Sequence, residues 1–451
     1  MTDAKNKFRQ MTTAAPVRLV IRHSFPTILS AFLPSIASMV DAFFMARLGT
    51  AACGAVGIAF PIVAAIQTIG FVFGTGAGSL LSRSLGAREH QKASAIASAA
   101  FFSSLIFSLV FSGVCLIFRN SLLRLLGAGD GVLFALAKTY TVCLLFAAPL
   151  MCAAFVLSNL LRAEGRTVWA MCGLGLGNVS CVLSIPLLMF RGNLGVLGAG
   201  LSFTIGYGLA VLILLFPYLF RKSTVFLLAK FEIQNILEIL RNGLPSLFRQ
   251  GLTAVAVVLL NRAAGPYGDA AIAALALTSR LFLFLYAFLL GIGQGSAPIA
   301  GYNYGNGDRS RTLVIYKVSL TIACVLGLLL AIPTAIFAPL AIGWFRSDEM
   351  TVRYGTLFLR ALCAVLPLHG IIAVTNIFLQ ALGKPISASL VAAARQGFLF
   401  LPFVFLLPRR FGFAGLFLTQ PIADALTFLF TIPFAIFLFR ELKKAYPKGS
   451  A

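Results

Sequence analysis

Charged residues make up only 11% of this 451-residue chain, and just 13 residues are acidic. Soluble domains carry about 25% charged residues. A chain this poor in charge cannot cover itself with a water-compatible surface, so lipid must be its solvent. Backbone polar groups in lipid have to be satisfied internally, which leaves helices or a closed barrel. The alternating ten-residue segments of a barrel are missing. Continuous apolar runs such as 99–118 and 320–340 stand in their place, in a chain that is 59% hydrophobic with mean hydropathy +0.96. Three histidines lie far apart and the eight cysteines form no Cys-x-x-Cys pair, so no metal cluster is expected and the cysteines read as small buried hydrophobes. No Walker sequence is present, which argues against an ATP-driven pump. An Asp pair, a Ser/His arrangement and a His-rich motif are missing too, against an intramembrane enzyme; no filter-like re-entrant motif supports a channel. No cofactor is expected.

What is present is apolar sequence in span-sized pieces. At roughly 20 residues per crossing, about twelve spans are expected, near 22–46, 52–82, 93–118, 130–158, 167–190, 195–220, 243–264, 270–300, 312–340, 352–382, 385–407 and 412–439. The net charge of +23 does not indicate nucleic acid, because the basic residues sit in the short loops between spans. Their distribution orients the chain. Lys5, Lys7, Arg9, Arg18 and Arg22 at the start, then Arg83, Arg88, Lys92, Arg162, Arg166, Lys222, Lys230, Arg241, Arg309, Arg311, Lys384, Arg440, Lys443 and Lys444, share one side. Fewer face the other: Arg47, Arg119, Arg124, Arg191, Arg262, Arg346, Arg353, Arg409 and Arg410. The richer side is cytoplasmic by the positive-inside rule, which puts both termini inside, in a multi-pass protein of the cell (inner) membrane. The basic start runs straight into a span long enough to stay in the membrane, so it does not read as a cleaved signal.

The chain repeats itself. Gly74-Thr-Gly-Ala-Gly-Ser79 matches Gly291-Ile-Gly-Gln-Gly-Ser296, Gly49-Thr-Ala-Ala matches Gly268-Asp-Ala-Ala, and Gly195-Val-Leu-Gly198 matches Gly412-Phe-Ala-Gly415, at offsets of 217 to 219 residues. Two halves of six spans follow: an N-lobe over 1–220, a cytoplasmic linker over 221–241 with an amphipathic segment at 231–240, and a C-lobe over 242–451. An even span number per half gives a pseudo-two-fold axis along the membrane normal and a central cleft, the architecture of alternating access.

At this point a family can be seen. Val40-Asp-Ala-Phe-Phe-Met-Ala-Arg-Leu-Gly49, Ala55-Val-Gly-Ile-Ala-Phe-Pro61, Gly74-Thr-Gly-Ala-Gly-Ser-Leu-Leu-Ser-Arg-Ser-Leu-Gly86, Leu161-Arg-Ala-Glu-Gly165 and Gly195-Val-Leu-Gly-Ala-Gly200 resemble, in order, the landmarks of the multidrug and toxic compound extrusion (MATE) family. The resemblance spans nearly the whole chain. It implies an all-α protein of twelve helices in two lobes, exporting small organic compounds in exchange for protons or sodium. The family's Asn-x-x-Leu-Asp-Pro run is replaced here by Cys181-Val-Leu-Ser-Ile-Pro186, so Ile185 stands at the acid position. An acid that some relatives place in helix seven is replaced by Arg249 and Gln250.

Of the acidic residues, Asp41 and Asp424 fall inside predicted spans, where a charge costs about 2.5–3.5 kcal/mol on insertion scales. Asp41 closes a polar stripe of Ser24, Thr27, Ser30, Pro34 and Ser38 on one face of the first helix, expected to face a wet cavity. Pro26 and Pro34 each remove a backbone donor and allow a bend. Asp41 is therefore the expected cation-coupling residue, with Asn178, Ser184 and Thr204 as supporting polar groups; the alternative is a structural cap. Asp424 is expected to pair with an arginine. Gln67, Tyr140, Asn159, Arg280, Asn376 and Arg395 are the substrate-cavity candidates, each also readable as an interhelical bond. Arg280 and Arg395, if cleft-facing, would accept anionic groups on substrates. With the helix-five acid missing, Asp41 lacks the second carboxylate that helps to hold sodium, so proton coupling is expected over sodium. The resulting reading is a monomeric antiporter in the lipid bilayer with small organic substrates. The alternative is a lipid or glycan-lipid flippase of the same wider superfamily.

Overall fold

The computed structural model describes residues 2–129, 131–220, 222–228, 230–344 and 348–444. Among them no strand occurs. The helices are α1 (Thr2–Thr13), α2 (Pro16–Arg47), α3 (Thr50–Gly86), α4 (His90–Ile117), α5 (Arg119–Leu125), α6 (Val132–Ala163), α7 (Thr167–Pro186), α8 (Gly195–Leu219), α9 (Ile233–Ala264), α10 (Asp269–Gly305), α11 (Arg309–Ile336), α12 (Ala338–Gly343), α13 (Glu349–Ala381), α14 (Pro385–Gln396) and α15 (Leu401–Lys443). A π-helical turn, Leu187–Arg191, extends α7.

Among the described residues, eleven stretches are long and apolar enough to cross a membrane. The last, Pro385–Lys443, has 59 residues. At 1.5 Å per residue it would be about 90 Å long, roughly three times the hydrocarbon thickness. It holds two crossings, and the break is at Gly412, whose φ of 58° and ψ of −136° are not helical. Without a Cβ the chain can reverse there. Twelve crossings result, as the spacing of apolar runs predicts. The eleventh is further interrupted after Gln396, where the sequence suggests a continuous span.

The repeat is built into the backbone. α2 and α9 have 32 residues each, α3 and α10 have 37 each, and α4 and α11 have 28 each. Positive φ recurs at Gly49 and Gly268, Arg88 and Gly307, Gly165 and Gly383, and Gly195 and Gly412. The short α5 and α12 occupy matching places and are not visible as spans because they are 7 and 6 residues long.

The chain forms two compact units. The first comprises Met1–Phe8 and Leu29–Leu247, the second Arg9–Ile28 and Phe248–Ala451. All three boundaries fall inside a helix, in α1, α2 and α9. In the first unit Gly76 of α3 lies against Ile239 and Gly243 of α9; in the second Gly295 and Gly291 of α10 lie against Ser24 and Ile28 of α2. A side chain at Gly76 or Gly295 would collide with the partner's backbone. These close approaches assign the leading halves of α2 and α9. α9 begins at Ile233, ahead of the expected span, so the amphipathic segment at 231–240 runs into the spanning helix rather than forming a separate surface element.

α4 shows how the helices meet lipid. Ile106, Val110 and Val114 are exposed, while Ser98, Ser104, Ser108 and Ser112 are buried. Lipid does not repel the apolar face, so small and polar groups go inside, where close packing and hydrogen bonds hold helices together.

Candidate functional site

Asp41 sits on α2 with 2% of its surface exposed. The Tyr140 hydroxyl, on α6, donates to its Oδ2 at 2.6 Å. Its Oδ1 is buried and has no hydrogen-bond partner among the described residues. Cys181 of α7 lies close enough to interact electrostatically with Asp41, and Cys143 of α6 with Tyr140. Around them is an apolar core that includes Met45, Leu144 and Ile185. Ile185, at the position of the missing acid, is fully buried and adds no ligand. Among the described residues, the surroundings of Asp41 are thus one phenol and an apolar wall.

The expected supporting groups are arranged differently. Asn178 donates from Nδ2 to the Leu174 carbonyl at 2.7 Å, and Ser184 donates to the Ser180 carbonyl at 2.7 Å, each within its own helix. Thr204 is half-buried on α8. The direct partner of Asp41 is instead Tyr140. The polar stripe on α2 also divides. Ser24 donates to the Ile292 carbonyl at 3.4 Å in the second unit, and Thr27 to His23 at 2.8 Å. The leading part of the stripe is thus a helix-packing face against α10, because small residues let two backbones approach. Pro26 and Pro34 lie in a continuous α2, on either side of the boundary between Ile28 and Leu29.

Asn159 donates to the Phe155 carbonyl at 2.8 Å and packs on Gly74, and Gln67 is half-buried on α3. Asn376 connects three helices of the second unit: its Nδ2 donates to the Ala388 carbonyl at 2.6 Å, and its Oδ1 accepts from Arg249 at 3.2 Å. Arg280 is exposed on α10.

Arg395 and Asp424 form a buried pair in the second unit. Arg395 Nε donates to Asp424 Oδ1 at 3.2 Å, and Gln420 Nε2 donates to the same oxygen at 2.8 Å. The guanidinium lies 4.6 Å from the centre of the Tyr286 ring. His369 Nε2 is 3.0 Å from Asp424 Oδ2 but not aligned as a hydrogen bond. Its ring packs edge-on against Phe282 and Tyr286. His369 was not picked out from sequence, although an ionisable side chain in mid-span is the signal that finds such residues.

A third polar cluster lies outside the spans. Glu164, just after α6, is fully buried and accepts from the Ser223 hydroxyl and the Thr224 N–H, each at 2.8 Å. Arg166 lies 3.6 Å away. Burial pushes the Glu164 carboxyl above its ordinary value, against the pull of these bonds and of the Arg166 charge.

The two-fold repeat is matched by a known family. The MatE family model covers residues 26–188 and 245–406, one copy in each half. The chain belongs to the MatE family. Similar MatE-type relatives include the multidrug export protein MepA of Staphylococcus aureus (strain N315), 27% identical over 418 residues, covering 91% of this chain and 92% of that protein. MepA of Staphylococcus saprophyticus is 26% identical over 412 residues, covering 90% of both. Among solved structures, the Vibrio cholerae MATE transporter VcmN in the bent form superposes with a TM-score of 0.87 at 21% identity, over 99% of this chain and 100% of that one. A transporter of the MOP superfamily from Pyrococcus furiosus, described as having a binding pocket of reversed polarity, gives 0.90 at 23% identity, over 96% and 98%. The structural matches establish a shared MATE fold.

Proposed function

We propose that this MatE protein is a secondary active antiporter that exports small organic compounds in exchange for protons by alternating access. The carrying observation is Asp41: a carboxylate buried on α2 with one donor, Tyr140, and an unpartnered Oδ1. An ionised carboxylate in this setting is costly. A proton on Oδ1 removes the charge, and the Tyr140 hydroxyl keeps the carboxyl oriented. Loss of that proton restores a negative site for a cationic or polar compound. Proton and substrate thereby compete for one carboxylate, which is the requirement for exchange.

The conformational half of the cycle is assigned to α2. Pro26 and Pro34 flank the point where its packing changes from one unit to the other. Related transporters described in straight and bent forms support a bend in this fold. The multidrug export relatives support small organic cargo.

The test is purified protein in liposomes, with a pH gradient and no sodium compared against a sodium gradient at clamped pH. Uphill movement of fluorescent cationic compounds is expected with the pH gradient alone. Strict dependence on sodium would refute proton coupling.

A further inference from the structure

The second unit has a cavity, a shallow depression open to the surface, that the transport reading does not use. It measures about 670 Å³ and lies between α12 and the start of α13, lined by Pro339, Glu349, Arg353, Thr356, Leu357 and Arg360. Arg353, Leu357 and Arg360 are spaced by four and three residues, one exposed stripe on α13. Arg360 Nε donates to the Ala335 carbonyl at 3.0 Å, a bond to the last turn of α11 that holds the guanidinium at the cavity edge. Thr356 is only 9% exposed, lines the same cavity, and its Oγ1 makes no hydrogen bond among the described residues. That oxygen is shut off from solvent, so the groups open to a ligand are the two guanidiniums at the edge, which suit an oxyanion.

The surroundings specify which oxyanion. Ile332 and Ile336 on α11, Leu340 on α12 and Phe337 between them are 58–61% exposed, and Trp344 is 85% exposed. Exposed aliphatic side chains beside an exposed tryptophan mark the boundary between hydrocarbon and headgroups. The ligand therefore carries both an anionic head and apolar tails. The lining has two cations and one acid, so a headgroup with one net negative charge balances it. The internal repeat supplies a control: 217 residues earlier the two arginine positions are Leu136 and Cys143, so the first unit has no equivalent.

We propose that this cavity binds the headgroup of an anionic phospholipid such as phosphatidylglycerol. Arg353 and Arg360 hold the phosphate, whose geometry matches the guanidinium fork. The acyl chains run along the exposed faces of α11 and α12. The site stands whether or not transport is proton-coupled.

The chain has two tryptophans, so Trp169→Phe leaves Trp344, the residue after α12, as the sole reporter. The full-length variant is reconstituted at physiological salt in phosphatidylcholine containing increasing fractions of brominated phosphatidylglycerol, brominated phosphatidylethanolamine or brominated phosphatidylcholine. Quenching of Trp344 should favour phosphatidylglycerol over phosphatidylcholine about tenfold, because both offer a phosphate but phosphatidylcholine also brings a cation against the two guanidiniums. Adding Arg353→Gln and Arg360→Gln should remove the preference. Equal quenching by all three lipids, stronger quenching by phosphatidylethanolamine, or a preference that survives the double arginine substitution would overturn the proposal. The wild-type-cavity comparison needs no cavity substitution, so poor folding of the variants does not shield it.

Discussion

Asp41 could be found from sequence because an acid in an apolar run is costly and therefore conspicuous. Its partner could not, since Tyr140 lies 99 residues away and only helix packing brings them together. Asn178, Ser184 and Thr204 were reasonable choices, but a helical Ser or Asn can satisfy itself on the carbonyl four residues back, as Asn178 and Ser184 do. Asp41→Asn should abolish gradient-driven transport while leaving substrate binding measurable by fluorescence titration. Tyr140→Phe should keep coupling to the pH gradient but at a reduced rate. It removes a hydrogen bond to a carboxylate worth about 1.5–3 kcal/mol; coupling lost as completely as in Asp41→Asn would instead make Tyr140 a participant in proton transfer. In the second unit, Arg395→Ala leaves Asp424 buried beside His369 with one bond from Gln420. Breaking such a pair costs about 3–5 kcal/mol, so a clear fall in thermal unfolding temperature is expected. Combining Arg395→Met with Asp424→Leu should recover much of it.

At the level of elements, Glu164 fastens the segment after α8 to the end of α6 through Ser223 and Thr224. Because burial raises the Glu164 carboxyl, the folded state prefers the neutral form more than the unfolded chain does. Its contribution is therefore most favourable below the ordinary glutamate range and declines as pH rises through the raised folded value. Glu164→Gln mimics the neutral form. Wild type should thus compare best with Glu164→Gln at pH 4–5 and lose ground towards pH 8, read as the difference in unfolding temperature; the opposite trend would show that the bonds and Arg166 outweigh burial. Helix lengths and the repeat were legible because apolar runs and glycine motifs recur at a fixed offset. The short α5 and α12, and the interruption after Gln396, carry no such signal. They depend on how neighbouring helices end.

For the whole molecule, loop charge predicts the orientation. In a background lacking the eight native cysteines, single cysteines at Lys92 and Lys444 should be shielded from an impermeant reagent added outside intact cells. Those at Arg191 and Arg409 should react. The reverse pattern would overturn the orientation. Sequence alone determined that this protein lives in lipid, crosses it twelve times and consists of two related halves, because hydrophobicity, span length and duplication are properties of the chain read in order. Tertiary structure alone decided that Tyr140 bonds Asp41, that His369 joins Arg395 and Asp424, and that the leading halves of α2 and α9 pack in opposite units. These contacts join residues about 30 to 270 positions apart. In lipid, hydrophobicity does not say which face of a helix meets which neighbour; close packing at small residues and the pairing of polar groups decide that.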